Sequence, residues 1–415
     1  MGRLALVLSG GGARGAYEAG VVHYIRTGLP KEIASRHFEI QCGSSAGAIN
    51  TAAMVSMAED PVAQGNKIKE LWLSLKQDDI YQRDFSAALN FLKSSITGIF
   101  RNLATFNLFE LGKRKGPHLY SFLDTKPLHA FLKKNIPWQQ LEKNVQKGPV
   151  AAVSVTATNT RSGRSELFIC KKSEIEYEGD YRHHEVALQA EHVMASSAIP
   201  IVFPTIKIDK TYYADGGIRL FTPMSPAIQL GADRIVIVGL RHRPTSEEIK
   251  TYDGQEMRTP PSLVELMGRL MNGFFLDRIQ FDLEQLQRIN ALIDWSEKLY
   301  GKDYLDRLNQ FIQKKGEPTD IAKRGIKQIR VVEILPSEFI SEIFSRWFQK
   351  QRKKGSFKLS TLERLLTRVL DIDAPGAIEL FSYLTFANDY IKELIDLGYE
   401  DAKKNRERLI ELMSS

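Results

Sequence analysis

Cysteine is scarce in this chain: two among 415 residues, Cys42 and Cys170. Two thiols cannot build a disulfide framework, and they fit a reducing compartment. No Cys/His cluster has zinc-ligand spacing, so no zinc site is expected. Long apolar runs are missing too; the uninterrupted ones reach only a few residues, far short of the ~20 that span a bilayer. The start, Met-Gly-Arg-Leu-Ala-Leu-Val-Leu, turns straight into glycines, without the apolar region and cleavage site of a signal peptide. The expected location is cytoplasmic or peripheral to a membrane, with export by a signal-independent route left open. Repeats and low-complexity tracts are absent. The basic clusters are scattered and no nucleic-acid motif accompanies them, so nucleic acid is not an expected partner.

What is present is the balance of a soluble globular protein, 43% hydrophobic and 26% charged. The length allows one large core with appendages or two ordinary domains. The net charge of +7 fits attraction to an anionic surface or an ordinary basic exterior. Residues 4–8 read as a buried strand, 9–15 as a glycine-rich turn and 16–26 as a helix. A second strand, 38–42, meets Gly43-Ser44-Ser45-Ala46-Gly47, and a helix over 46–57 follows. Strand, tight turn and helix, repeated, predict an α/β fold with a mostly parallel sheet. Further strands are expected at 150–158, 166–170, 206–214, 234–240 and 329–335. Helical inserts are expected at 85–109, ending in Lys113-Arg114-Lys115, and at 263–293 with a break at Gly273. Another, 338–354, sets Phe339, Ile340, Ile343, Phe344, Trp347 and Phe348 on one side. Residues 251–261 read as an exposed loop.

Three motifs carry chemistry. Gly43-Ser44-Ser45-Ala46-Gly47 fits G-x-S-x-G: glycines let a strand-to-helix bend close and push the Ser45 hydroxyl out above the sheet. The plainer reading is a helix-capping serine at Ser44 or Ser45. Gly10-Gly11-Gly12-Ala13-Arg14-Gly15 offers consecutive amides, suited to the oxyanion of a tetrahedral intermediate. It also matches G-x-G-x-x-G, a dinucleotide-binding turn. That reading wants an acidic residue ending the second strand, where Gln41-Cys42 stands instead. Arg14 either steadies this turn or meets a substrate phosphate, with a surface salt bridge as the plainer role. Asp215-Gly216-Gly217 is a tight turn if isolated; beside Ser45 its aspartate is a candidate base, improved by a dry site that raises its pKa.

Histidine is the rival base. Of eight histidines only His242 follows Asp215, which allows a Ser45–Asp215–His242 triad in chain order. Yet only two strands precede Ser45, too few for that fold, and His242 between Arg241 and Arg243 reads better as a loop residue. His23, His37, His118, His129, His183, His184 and His192 have no companion motif.

With all three motifs in order, the sequence resembles the patatin-like phospholipases. Val155-Thr156-Ala157-Thr158-Asn159, Ala195-Ser196-Ser197-Ala198-Ile199-Pro200, Leu230-Gly231-Ala232-Asp233-Arg234 and Leu394-Ile395-Asp396-Leu397-Gly398-Tyr399 are similar to bacterial members. The likeness covers about 1–240 and the remainder loosely. It implies a three-layer α/β/α fold and a lipid acyl-ester hydrolase of phospholipase A or lysophospholipase type. In the implied site Ser45 is nucleophile and Asp215 its partner. Gly11, Gly12, Ala13 and Arg14 form the oxyanion turn, and Gly43 and Gly47 the elbow. The implied organisation is a catalytic domain over 1–336, with a helical insert at about 60–145 and a long helix at about 262–293. A helical C-terminal region, 337–415, packs on or extends it.

The implied partner is a lipid; residues 85–109 and the basic amphipathic 338–354 are each candidates for a lid or a peripheral membrane-contact element. Core packing with solvated basic ends is the competing role for both. An acyltransferase would use the same acyl-enzyme, and a nucleotide-binding module is the remaining alternative. Oligomeric state, head group, chain length and cleaved position have no signature here.

Overall fold

Alternation along the first strand already requires cover on both sides. The computed structural model describes residues 2–83, 123–200, 202–253, 278–315, 325–354 and 375–414. In it, Leu4, Leu6 and Leu8 of β1 (Arg3–Leu8) enter one buried cluster, and Ala5 and Val7 enter another. A strand with two apolar faces sits in a sheet with helices on both sides, which makes three layers.

Among the described residues the main sheet has nine strands. After β1 come β2 (Ile40–Ser44), β3 (Ala152–Asn159), β4 (Ser165–Lys171) and β5 (Arg182–Glu185). Then follow β6 (Ile206–Ile208), β7 (Thr211–Asp215), β8 (Ala232–Val238) and β9 (Arg330–Ile334). The order across it is β9-β8-β1-β2-β3-β4-β5, parallel from β9 through β3, with the β6–β7 hairpin set beside β3. The expected α/β class with a mostly parallel sheet is the observed one.

One detail of register positions the site. Strand β4 occupies one edge of β3 from Ala152 to Thr158, so β2 and β7 must share the other edge. There Ser44, the last residue of β2, pairs with Thr156, and Asp215, the last residue of β7, pairs with Ala157. The end of β2 and the end of β7 therefore meet head to head, one pairing step apart.

On one face of the sheet lie α1 (Gly15–Thr27), α2 (Ala46–Ser56) and α3 (Pro61–Ser74). The short α4 (Ala190–Ser196) packs there too, and α5 (Arg278–Tyr300) puts Leu283 and Leu286 against the other face. Of the C-terminal helices, α6 (Ile340–Lys353), α7 (Pro375–Leu384) and α8 (Asn388–Lys404) join the first face. Helices α1 and α8 cross closely, Gly20 against the Ile395 carbonyl and Gly398 against that of Tyr17. Nearby, Asp401 accepts hydrogen bonds from Tyr17 Oη (3.2 Å) and the Ser337 amide (2.8 Å).

Several expectations are corrected. The single strand expected over 206–214 is a hairpin, turned at Asp209 with φ 51°, a left-handed conformation that a short polar side chain tolerates. Strand β5 was not expected, because Arg-His-His-Glu is a polar, mostly exposed edge segment. The loop expected from 251 begins inside a helix, Ser246–Asp253. The helix 338–354 is present as α6, and of its two readings core packing holds: Ile340, Ile343, Phe344, Trp347 and Phe348 are buried, with Phe344 and Trp347 packed on Tyr390. That apolar side belongs to the core, so it is not a membrane-contact face. Residues 85–109, the run Lys113-Arg114-Lys115, 254–261 and 263–277 lie outside the described residues.

Candidate active site

Leaving β2, the chain must reverse sharply to start α2, and the bend falls on Ser45, with φ 53° and ψ −120°. A non-glycine residue at positive φ is strained, and such strain persists only where neighbours hold it. They do: Ser196 Oγ accepts the Ser45 amide (2.9 Å), and Ser197 Oγ donates to the Ser45 carbonyl (3.1 Å). The elbow also needs room. A side chain at Gly43 would strike the Gly47 carbonyl, and one at Gly47 the carbonyls of Leu8 and Ser9. Although Ser45 occupies the helix-capping position, its side chain caps nothing.

The hydroxyl goes elsewhere. Ser45 Oγ donates to Asp215 Oδ2 at 2.6 Å, with the two residues 3% and 0% exposed. The other carboxylate oxygen accepts the Gly217 amide at 2.7 Å, and the Asp215 carbonyl accepts from Thr158 Oγ1 at 2.8 Å. Burial pushes the Asp215 carboxyl up to about 7, against the hydrogen bonds from Ser45 and Gly217, which pull it down. A carboxylate poised near neutrality is a far better proton acceptor than an ordinary aspartate. No imidazole stands between the two side chains. His242 is engaged with the Pro336 carbonyl (3.0 Å), the Glu248 carboxylate (3.1 Å) and the Phe339 ring.

The glycine turn closes over the serine. A Cβ on Gly10 would lie 3.1 Å from Ser45 Cβ, so this backbone runs directly alongside the hydroxyl. The Gly10 amide is taken by the Phe221 carbonyl (3.1 Å) and that of Arg14 by the Gly11 carbonyl (3.1 Å). Gly11, Gly12 and Ala13 lie between them, and Gly12 lines the pocket beside Ser45. The Arg14 amide is used inside the turn, so its expected place among the oxyanion donors is corrected; its side chain is buried, which fits the reading that it steadies the turn and not the plainer surface salt bridge. The guanidinium points away from Ser45, to Glu379 Oε1 (2.7 Å), Ser382 Oγ (3.0 Å from Nε) and Tyr383 Oη (3.0 Å).

Beside Ser45 lies a narrow apolar pocket of about 30 Å³, walled by Ile49, Trp72, Leu75, Ile199, Phe203 and Phe386 among others. Among the described residues no group of three or more His, Cys, Asp or Glu side chains is placed to hold a metal ion.

Sequence reading singled out Ser45, Asp215 and the glycine turn, which the structure brings together, because each sits in a short motif. It gave no role to Ser196 and Ser197, although they lie in a segment similar to bacterial patatin-like proteins. Glu379, Ser382 and Tyr383 carry no local signal at all.

A three-layer sheet with a serine elbow, a buried Asp-Gly-Gly aspartate and an overlying glycine turn defines a class of lipid acyl-hydrolases. The chain belongs to the patatin-like phospholipase family, whose model matches residues 6–228. As a member it is a lipid-ester hydrolase, with lipid as the class of substrate. Among solved structures, VipD from Legionella pneumophila is similar at 15% identity, with 95% of this chain and 67% of that one covered and a TM-score of 0.29. The ExoU-SpcU complex from the type III secretion system of Pseudomonas aeruginosa gives 16% identity, 98% and 76% coverage and a TM-score of 0.27. No curated protein sequence matches. Among the described residues no helix is long and apolar enough to cross a membrane.

Proposed function

We propose that this chain cleaves acyl esters of phospholipids or lysophospholipids through a Ser45–Asp215 dyad and an acyl-enzyme. The observation that carries the reading is the 2.6 Å hydrogen bond from Ser45 Oγ to a carboxylate that burial has raised to about 7. Asp215 takes the hydroxyl proton as Ser45 Oγ bonds to the acyl carbonyl carbon. The carbonyl oxygen becomes an oxyanion, received by the amides of Gly11 and Gly12, with Ala13 beside them and the positive start of α2 nearby. Collapse of the tetrahedral intermediate breaks the bond to the lyso-lipid oxygen, and that oxygen leaves with the proton held by Asp215. Water then gives a proton to Asp215 and attacks the acyl-serine. The fatty acid departs, and the proton returns to Ser45 Oγ. Direct serine-to-aspartate transfer needs no imidazole. The apolar pocket would take the start of the acyl chain.

Lipid profiling of wild type, Ser45→Ala and Asp215→Asn tests this. Both variants should lose turnover by about 10⁴-fold or more; full activity in either one ends the reading. Added alcohol or thiol acceptors separate hydrolysis from acyl transfer, since a transferase would give an acylated acceptor instead of free acid.

A further inference from the structure

The glycine turn that closes over Ser45 is held from outside the family-matching residues 6–228. Its Arg14 makes four side-chain hydrogen bonds, all to one turn of α7: to Glu379 (2.7 Å), to Ser382 from two nitrogens (3.0 and 2.5 Å) and to Tyr383 (3.0 Å). The guanidinium carbon also lies 3.8 Å over the Tyr383 ring. Beside it, the Tyr383 carbonyl fills the space a side chain would need at Gly12, where φ is +54°. Burial pulls the Arg14 guanidinium down, but the Glu379 carboxylate together with Tyr383 and Tyr390 more than offsets this and keeps it charged. The helix itself is tied in place: Ser382 Oγ, which accepts from Arg14, donates to the Glu379 carbonyl (2.6 Å), and Tyr390 Oη donates to the Ser382 carbonyl (3.2 Å).

We propose that Arg14, Glu379, Ser382 and Tyr383 form a lock by which helix α7 sets the position of the oxyanion amides, making Glu379 and Ser382 positioning residues for the reaction. This rests on the dyad reading above. Two arguments favour positioning over bulk stability. A buried ion pair is a poor source of net stability, because desolvation cancels most of the attraction, whereas its fork geometry fixes direction. And the lock grips the two residues, Gly12 and Arg14, that bracket Ala13 in the glycine turn beside the Ser45 pocket. A turn of glycines has little stiffness of its own, so an external clamp is what gives the amides one fixed geometry.

The test compares Glu379→Gln and Ser382→Ala with wild type. Asp401→Asn serves as a control that disturbs the docking of the C-terminal helix α8, through Tyr17 and Ser337, at a residue bonded to none of the four lock side chains. Each is assayed for kcat and KM on a phospholipid, for the rate of Ser45 labelling by a fluorophosphonate, and for Tm. Misplaced oxyanion amides cost rate more than affinity, so Glu379→Gln and Ser382→Ala should each lower kcat and labelling by about 10- to 100-fold, with KM within about twofold. The control should lower Tm and leave kcat near wild type. Wild-type kcat and labelling in both lock variants overturns the proposal. So does an equal loss of kcat in Asp401→Asn at an equal loss of Tm, which would reduce the lock to packing. Ser45→Ala, run alongside, keeps the two readings apart: activity surviving in it defeats the dyad, whereas an inactive Ser45→Ala beside fully active lock variants defeats only the lock.

Discussion

Acid should switch this enzyme off well above the range of an ordinary aspartate. Only the ionised form of Asp215 can accept the Ser45 proton, and its carboxyl stands at about 7 where the usual value is 3.8. On the acid side kcat/KM should fall tenfold per pH unit below about 7, leaving roughly one hundredth of the plateau at pH 5. An aspartate of ordinary pKa would show no loss there. The same displacement has a stability consequence, and its sign is opposite to that of a salt-bridged aspartate. The folded state binds the Asp215 proton more tightly than the unfolded chain does. Stability from this group is therefore complete below pH 3.8 and lost as pH rises through 7, by up to about 4 kcal/mol. Asp215→Asn removes the buried charge while its carboxamide can accept from the Gly217 amide and donate to Ser45 Oγ. It should be inactive yet raise Tm, more at pH 8 than at pH 5. Stopped assays over pH 4.5–9 and calorimetry of the variant at both pH values check this. An acid limb centred below pH 5, or an Asp215→Asn protein less stable than wild type at pH 8, would show that Asp215 is not the desolvated base described here.

Further expectations concern the pocket, the turn and the core. Leu75→Trp narrows the apolar slot beside Ser45. It should lower kcat/KM on long-chain substrates by about 10-fold or more while sparing a short-chain ester, an asymmetry that chain-length profiling would reveal. Gly12→Ala places a Cβ at φ +54° against the Tyr383 carbonyl. It should cost about 1–3 kcal/mol in denaturant unfolding and reduce kcat, and an unchanged midpoint would contradict the close approach. Phe344→Ala empties part of the core under α6. A loss of about 3–5 kcal/mol is expected, with vesicle binding by the folded fraction unchanged; selective loss of vesicle binding would return α6 to the membrane.

Legibility in the sequence followed the length scale of each constraint. The serine elbow was readable because five consecutive residues must satisfy one bend, and the aspartate because Asp-Gly-Gly ends a strand. The α/β class was readable from strand, turn and helix in repetition, since burial on both faces imposes apolar runs such as Leu-Ala-Leu-Val-Leu. The turn at Asp209 was hidden by apolar residues on either side that suit one continuous strand as well as two short ones. Helix α6 showed an apolar side, but amphipathicity alone does not say whether protein or lipid covers it. The role of Arg14 was least readable. Its partners lie 365 to 369 positions away, and glutamate, serine and tyrosine spaced by three and one residues are common on any helix.

Because the ends of β2 and β7 abut on a single edge of β3, the spacing of nucleophile and carboxylate is inherited from hydrogen-bonded backbone rather than from any connecting loop. Connecting loops between positions 45 and 215, apart from β3 and the Ser196–Ser197 brace, are thereby relieved of metric duty. They can lengthen, shorten or change sequence while Ser45 and Asp215 keep their distance.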